Sequence, residues 1–256
     1  MAKLAFESRG QGHIIVLLHA FPLDRTMWAP QLDGLFDIAR VIVPDCFGFG
    51  ETLRPPGDWT IDQLADAVAD TLEGIDEKVI LGGLSMGGYV ALAFARRHPG
   101  LLKGLILADT RAEPDGAEAK AGRAAMIELA ERSGSAAVIE KMLPNMLSPN
   151  TLAEKPDAVA TVRRIASRQD PESIVAALVA LRDRPDARPG LATIAVPTLV
   201  LVGEDDKITP PDAAKTLAAG IADSKLATIP NAGHLSHLEN PAAFNAAIRE
   251  LVQSHE

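Results

Sequence analysis

Three kinds of residue in this chain could do chemistry together, and they lie far apart in sequence: Ser85, the pair Asp205-Asp206, and His234. A serine hydroxyl is a poor nucleophile at neutral pH. It needs a base to take its proton, and the base needs a third group to fix its tautomer. Ser85 sits in Gly83-Leu84-Ser85-Met86-Gly87, after the apolar run Val79-Ile80-Leu81 and before Tyr89-Val90-Ala91-Leu92-Ala93-Phe94-Ala95. That is G-x-S-x-G in the setting that gives it meaning, a sharp turn from a buried strand into a helix. Gly83, Gly87 and Gly88 let backbone crowd around a serine held in a strained conformation. The turn leaves the hydroxyl at the strand's carboxyl end and the next N–H groups at a helix start, where developing negative charge is favoured.

His234, in Gly233-His234 after the last strand-like run, suits the base, and the chain order serine, acid, histidine fits an elbow of this kind. His19 competes for the role but precedes the serine, and is read as organising its own loop through side-chain hydrogen bonds. His237 reads as a surface or cap-contact residue, and His98, before Pro99, as a C-terminal helix cap. His13 and His255 stand in no motif. Of the two acids, Asp206 is taken to orient the base and Asp205 to shape the turn, because adjacent side chains point different ways. A tetrahedral oxyanion needs two N–H donors. Met86, just after the nucleophile, supplies one, and Phe21, in the loop after the first long apolar strand, the other.

These residues need a scaffold. His13 to Leu18, Ala39 to Val43, Val79 to Leu81, Leu102 to Ala108, Pro197 to Gly203 and Lys225 to Ile229 read as strands, the first a continuous apolar run covered on both faces. Lys3 to Ser8 alternates weakly and reads as an edge strand. Helices are expected around Trp28 to Leu35, over Asp62 to Glu73 with Thr60 or Asp62 as cap, over Pro211 to Ala219 and over Pro241 to Val252. The alternation predicts an α/β fold, a mostly parallel central sheet with helices on both faces, its catalytic loops at the carboxyl edge. The rhythm breaks after Asp109. From Arg111 to Pro189 there are helical stretches around Ala117 to Arg132, Ala136 to Met142, Ala153 to Arg168 and Pro171 to Leu181, and no Phe, Tyr or Trp. The expected division is therefore a core in two parts, 1–110 and 190–256, with a helical cap at 111–189. Met126, Met142 and Met146 of the cap, with Met27 and Trp28 beside the catalytic loops, are expected to line an adaptable substrate pocket.

Composition narrows the class. The chain has 256 residues, 47% apolar and 4% aromatic, and a formal net charge of −9 with scattered lysines and arginines, which carries no nucleic-acid footprint. Cys46, the single cysteine, excludes an internal disulfide and a multi-cysteine zinc site, and reads as a small residue at the rim of the fold. No cofactor or metal is called for. Charged Glu7 and Arg9 argue against a signal peptide, and no run is long enough to cross a bilayer, so a cytoplasmic protein without membrane insertion is expected. Nothing sets an oligomeric state.

The motifs together resemble the α/β-hydrolase superfamily over essentially the whole chain. His19-Ala20-Phe21-Pro22 resembles its His-Gly-x-Pro oxyanion loop, with alanine where glycine is usual. Pro44-Asp45-Cys46-Phe47-Gly48-Phe49-Gly50 resembles its Asp-x-x-Gly-x-Gly loop, Gly203-Glu204-Asp205-Asp206 its acid loop and Gly233-His234 its base. Leu18 to Trp28 is similar to small-substrate carboxylesterases, 3-oxoadipate enol-lactone hydrolases and cofactor-free perhydrolases. The resemblance implies a serine hydrolase acting on small to medium acyl esters through an acyl-enzyme, with water as acceptor. An enol-lactone or other lactone hydrolase, or a perhydrolase, would use the same triad. A lactone bearing a carboxylate would want a cation near the pocket, for which Arg25, Arg54 and Arg111 are candidates.

Overall fold

The computed structural model describes residues 3–253. Its centre is a seven-stranded sheet in the order β1-β3-β2-β4-β5-β6-β7, formed by Phe6–Arg9, His13–Leu18, Ala39–Pro44, Val79–Leu84, Leu102–Ala108, Thr198–Gly203 and Ser224–Ile229 taken as β1 to β7 in chain order. Only β1 runs antiparallel, along β3. The other pairs are parallel. β1 is exposed throughout its four residues, so it forms an edge as its weak alternation predicts.

The continuous apolar runs are explained by two cores, one on each sheet face. Along β2, Ile14, Val16 and Leu18 enter one core. Ile15 and Leu17 enter the other, because successive side chains leave opposite faces. The first core is covered by α2 (Ile61–Thr71), α3 (Met86–Arg97) and α8 (Pro211–Gly220), the second by α1 (Ala29–Leu35) and α10 (Pro241–Gln253). Thr60 caps α2 in a full capping box: its side chain accepts from Gln63 N–H while Gln63 accepts from Thr60 N–H. The short segment Arg25–Trp28 is a 3-10 turn leading into α1.

Between β5 and β6 the chain leaves the sheet and forms only helices: α4 (Ala117–Met146), α5 (Pro149–Glu154), α6 (Pro156–Ser167) and α7 (Pro171–Arg182). This is the inserted helical cap region. α4 is two helices joined at Gly134, whose φ of 75° breaks the helical path at the boundary read from sequence. Pro144 does not end the second half, which runs on to Met146. So near the carboxyl end its ring forfeits little of the ladder. Two short helices, α5 and α6, replace the single stretch expected from Ala153, because Pro156 opens a new one. After the sheet, α9 (Ser236–Glu239) adds one turn before α10. Among the described residues no helix is long and apolar enough to cross a membrane.

Candidate active site

Ser85 stands between β4 and α3 with φ 55° and ψ −111°, a strained conformation for a residue with a side chain. The crowding that forces it is measurable. A Cβ on Gly83 would lie 2.0 Å from the Gly87 carbonyl oxygen, and one on Gly87 would lie 2.2 Å from that of Leu18. Any larger residue would push the elbow apart.

His234 Nε2 lies 2.8 Å from Ser85 Oγ, and His234 Nδ1 lies 2.9 Å from Asp206 Oδ2. Ser85, His234 and Asp206 thus form a Ser-His-Asp triad in one hydrogen-bonded line. Asp206 is held from its own loop as well: Oδ1 accepts from Ile208 N–H and Thr209 N–H, and Oδ2 from the Thr209 hydroxyl at 2.6 Å. Burial works to raise the Asp206 pKa, but the His234 charge and these donors outweigh it and hold the carboxyl below its usual range. Asp205 is exposed, and its N–H donates to Ala232 O, so it does shape the turn.

The remaining histidines separate clearly. His19 is fully buried; its Nδ1 lies 3.0 Å from Ala20 O and its Nε2 accepts from Cys46 N–H at 2.8 Å. It organises its own loop as expected and, beyond that, ties it to the loop carrying Cys46, and burial keeps its pKa low. His98 caps α3 through its backbone N–H, while its ring turns to Asp66 of α2 at 2.8 Å. His13 pairs with Lys103 at 2.8 Å, and His255 lies outside the described residues. His237 corrects the sequence reading. It is fully buried, its ring 4.7 Å from that of Trp28 and 6.1 Å from that of Phe244. Burial pulls its pKa down to about 3, so it is a neutral core residue. Cys46 is likewise buried rather than at the rim, and burial pushes its thiol far up.

A cavity of about 290 Å³ is bordered by Phe21 of the loop after β2 and Ile208 of the acid loop, with Tyr89, Met126, Met142 and Leu178, and with Arg111, Asp115 and Arg123 as its charged side chains. Met126 and Met142 therefore face it. Met27, Trp28 and Met146 lie instead in the second core, Met146 at the end of α4, each at most 1% exposed. Met27 Sδ takes the Ala20 N–H at 3.3 Å, so that side chain props the oxyanion loop from below. Among the described residues no acceptor is paired with the N–H of Phe21 or of Met86. Sequence reasoning missed Tyr89, Leu178, Ile208 and Thr209. Thr209 carried a signal, since an acid three residues before a threonine is the spacing of a side-chain-closed turn. Leu178 carried none.

Three arginines have different fates. Arg25 is paired with Asp45 and Glu51, and Arg54 with Glu172. Arg111 lines the cavity, donates to Ile208 O, and has no carboxylate partner among the described residues. The cap is latched to the core nearby. Arg168 meets both oxygens of buried Asp24, Gln169 Nε2 donates to Asp24 Oδ2 at 2.7 Å, and Gln169 Oε1 accepts from Gly50 N–H.

Comparison with known proteins gives the same picture. Residues 15–247 match the profile described as the alpha/beta hydrolase family. An AB hydrolase superfamily protein of Bacillus subtilis, YisY, is 32% identical over 98% of this chain and 96% of its own. A thermophilic esterase from Thermogutta terrifontis, solved with malate bound, superposes with a TM-score of 0.95 and 43% identity, over 98% of this chain and 93% of its own. The enol-lactonase of Burkholderia xenovorans superposes with a TM-score of 0.91 and 28% identity, over 98% of this chain and 96% of its own.

Proposed function

Since the chain belongs to the alpha/beta hydrolase family, we propose that its triad hydrolyses carboxylic esters of small to medium acyl chain through an acyl-enzyme. The observation that carries this is the unbroken line Ser85 Oγ, His234, Asp206, at 2.8 and 2.9 Å. Ser85 Oγ attacks the acyl carbonyl while His234 Nε2 takes its proton. The N–H groups of Phe21 and Met86, free of other acceptors, hold the oxyanion, and each such donor is worth on the order of 10²–10³ in rate. The carbon–oxygen bond to the alcohol then breaks as His234 returns the proton to the leaving oxygen. Water, losing a proton to His234, adds to the acyl-enzyme, and Ser85 leaves with that proton. Asp206 stays ionised throughout and stabilises the imidazolium. The name of the Thermogutta terrifontis esterase, with its high identity, supports the ester reading. The helical region at 111–189 acts as the cap over the acyl group, and the lone buried cysteine fits a cytoplasmic setting.

The test is kcat/KM on p-nitrophenyl esters from acetate to palmitate, beside Ser85→Ala and mass analysis after a serine-directed phosphonate. Met126, Met142, Leu178 and Ile208 in the lining adapt to shape, so kcat/KM should rise about fourfold per methylene over the first carbons and fall by about C8. A maximum at about C12 or beyond, or a Ser85→Ala variant keeping more than about 1% of kcat/KM, would refute the reading.

A lactone with a free carboxylate is the second reading, favoured by Arg111 alone. It is a half-buried cation facing the cavity and in no ion pair among the described residues, since Asp115 of the same lining pairs with Arg123 and Arg184. Strong turnover of such a lactone with weak turnover of simple esters, lost in Arg111→Gln, would promote it.

A further inference from the structure

Asp206 is not the only carboxyl buried behind His234. Asp109 follows β5 at a φ of 44°, a left-handed conformation uncommon for a residue with a side chain, and it is fully buried. Its Oδ1 accepts from Gly203 N–H at 2.8 Å, where β6 gives way to the loop carrying Asp206. Its Oδ2 lies 2.5 Å from the hydroxyl of Ser236, also fully buried and two residues beyond His234. One side chain therefore spans the acid loop and the base loop. Those loops are in direct contact: a Cβ on Gly203 would lie 2.0 Å from Gly233 O.

We propose that Asp109 is a positioning residue for the triad, a buried carboxyl that ties the loop carrying Asp206 to the loop carrying His234. This rests on the serine-hydrolase reading above. The acid and base loops already meet through Asp205 N–H to Ala232 O and through the Thr209 hydroxyl, 3.2 Å from His234 Nδ1; Asp109 adds a buried side-chain tie that comes from β5 and reaches both. A base displaced by about 1 Å can lose on the order of 10² in rate, so a tether between the loops has a kinetic consequence.

The surroundings of the tether favour its uncharged form. Asp206 faces it from the acid loop with His234 beyond, and Glu239 faces it from α9, held by Gly233 N–H and Ser148 N–H. His237, on the same turn as Ser236, is neutral. Burial first, and repulsion by Asp206 second, push the Asp109 carboxyl well above the usual range. The Ser236 hydroxyl donates to Asp109 Oδ2 and Gly203 N–H donates to Oδ1, so the carboxyl accepts from both loops. Asparagine keeps an oxygen for Gly203 N–H and turns an amide N–H to the Ser236 hydroxyl oxygen, so it spans the same two loops without a charge; alanine abolishes both contacts.

The experiment compares kcat, KM and the pH profile of kcat/KM for Asp109→Asn, Asp109→Ala and Ser236→Ala on one p-nitrophenyl ester. Thermal unfolding serves as a control for folding. Asp109→Ala should lose about 10–100-fold in kcat with KM within about twofold, and asparagine should recover kcat to within about threefold of wild type. Ser236→Ala should fall between them. The acid limb of the Asp109→Asn profile should stay where the wild type has it. An asparagine variant as slow as alanine, or an acid limb moved to lower pH, would show that a charged Asp109 acts on His234. Either result overturns the proposal. So would an alanine variant that keeps kcat within about threefold and only melts earlier. If Asp109→Ala does not fold, Ser236→Ala decides alone: a kcat within about threefold of wild type refutes the tether. Failure of the wild type to label at Ser85 would instead refute the serine-hydrolase reading.

Discussion

Acid should destabilise this protein through His237 in an amount that can be isolated. Its ring titrates at its ordinary 6.5 in the unfolded chain and at about 3 in the folded one, where burial between Trp28 and Phe244 penalises the charged form. A group whose folded pKa is depressed takes up its proton first in the unfolded state. Its contribution is therefore complete above 6.5 and is lost as pH falls from 6.5 towards 3. One proton gives a slope of at most about 1.4 kcal/mol per pH unit, so the loss reaches about 2 kcal/mol at about pH 5. The perturbation is His237→Leu, which cannot titrate and leaves the backbone carbonyl that accepts from Gln31 in place. Urea unfolding of both proteins, followed by circular dichroism at about pH 7.5, 6.5, 5.5 and 5, gives the difference in stability, from which groups common to both cancel. Leucine forfeits ring contacts and should be the less stable variant at the highest pH. The gap should then shrink by about 2 kcal/mol on going to about pH 5, as only wild type takes up the extra proton on unfolding. A gap constant to within about 0.5 kcal/mol across that range would refute a desolvated, neutral His237.

The paired acids should separate by kinetics: Asp206→Asn should cost roughly 10³–10⁴ in kcat by leaving His234 in the wrong tautomer, and Asp205→Asn less than about tenfold, with the reverse order moving the acid to Asp205. Met142→Ala should shift the preferred p-nitrophenyl ester to a longer acyl chain and Met142→Phe to a shorter one, by about one to three carbons; an unchanged optimum in both would take Met142 out of the acyl path. Arg168→Ala leaves buried Asp24 with only its neutral donors, and since the arginine is itself 45% exposed and screened, urea unfolding should show a loss of about 1–2 kcal/mol. No loss would make the cap latch a solvated contact.

The sequence by itself determined the local frame of the site. Gly83 and Gly87 fix the elbow because backbone packs where their Cβ atoms would be, so a five-residue pattern suffices to find Ser85. Asp206 and His234 were legible for a related reason: each follows a parallel strand at the sheet's carboxyl edge, and strand ends are written in short apolar runs. The capping box at Thr60 and the helix break near Gly134 are likewise signals contained within a few residues. Which side chains meet across the fold was not legible. Met27, Trp28 and Met146 have the same chemistry as Met126 and Met142. Only the packing of α1, α10 and the end of α4 in one core sends the first three inside, while Met126 and Met142, on the same α4, border the cavity. His237 looks like a loop histidine until α10 brings Phe244 against it. Asp109 looks like the end of a strand until Gly203 and Ser236, 94 and 127 residues away, arrive on its two oxygens. Burial and long-range pairing are properties of the assembled surfaces, and they lower the Asp206 pKa, raise that of Asp109 and keep His237 neutral.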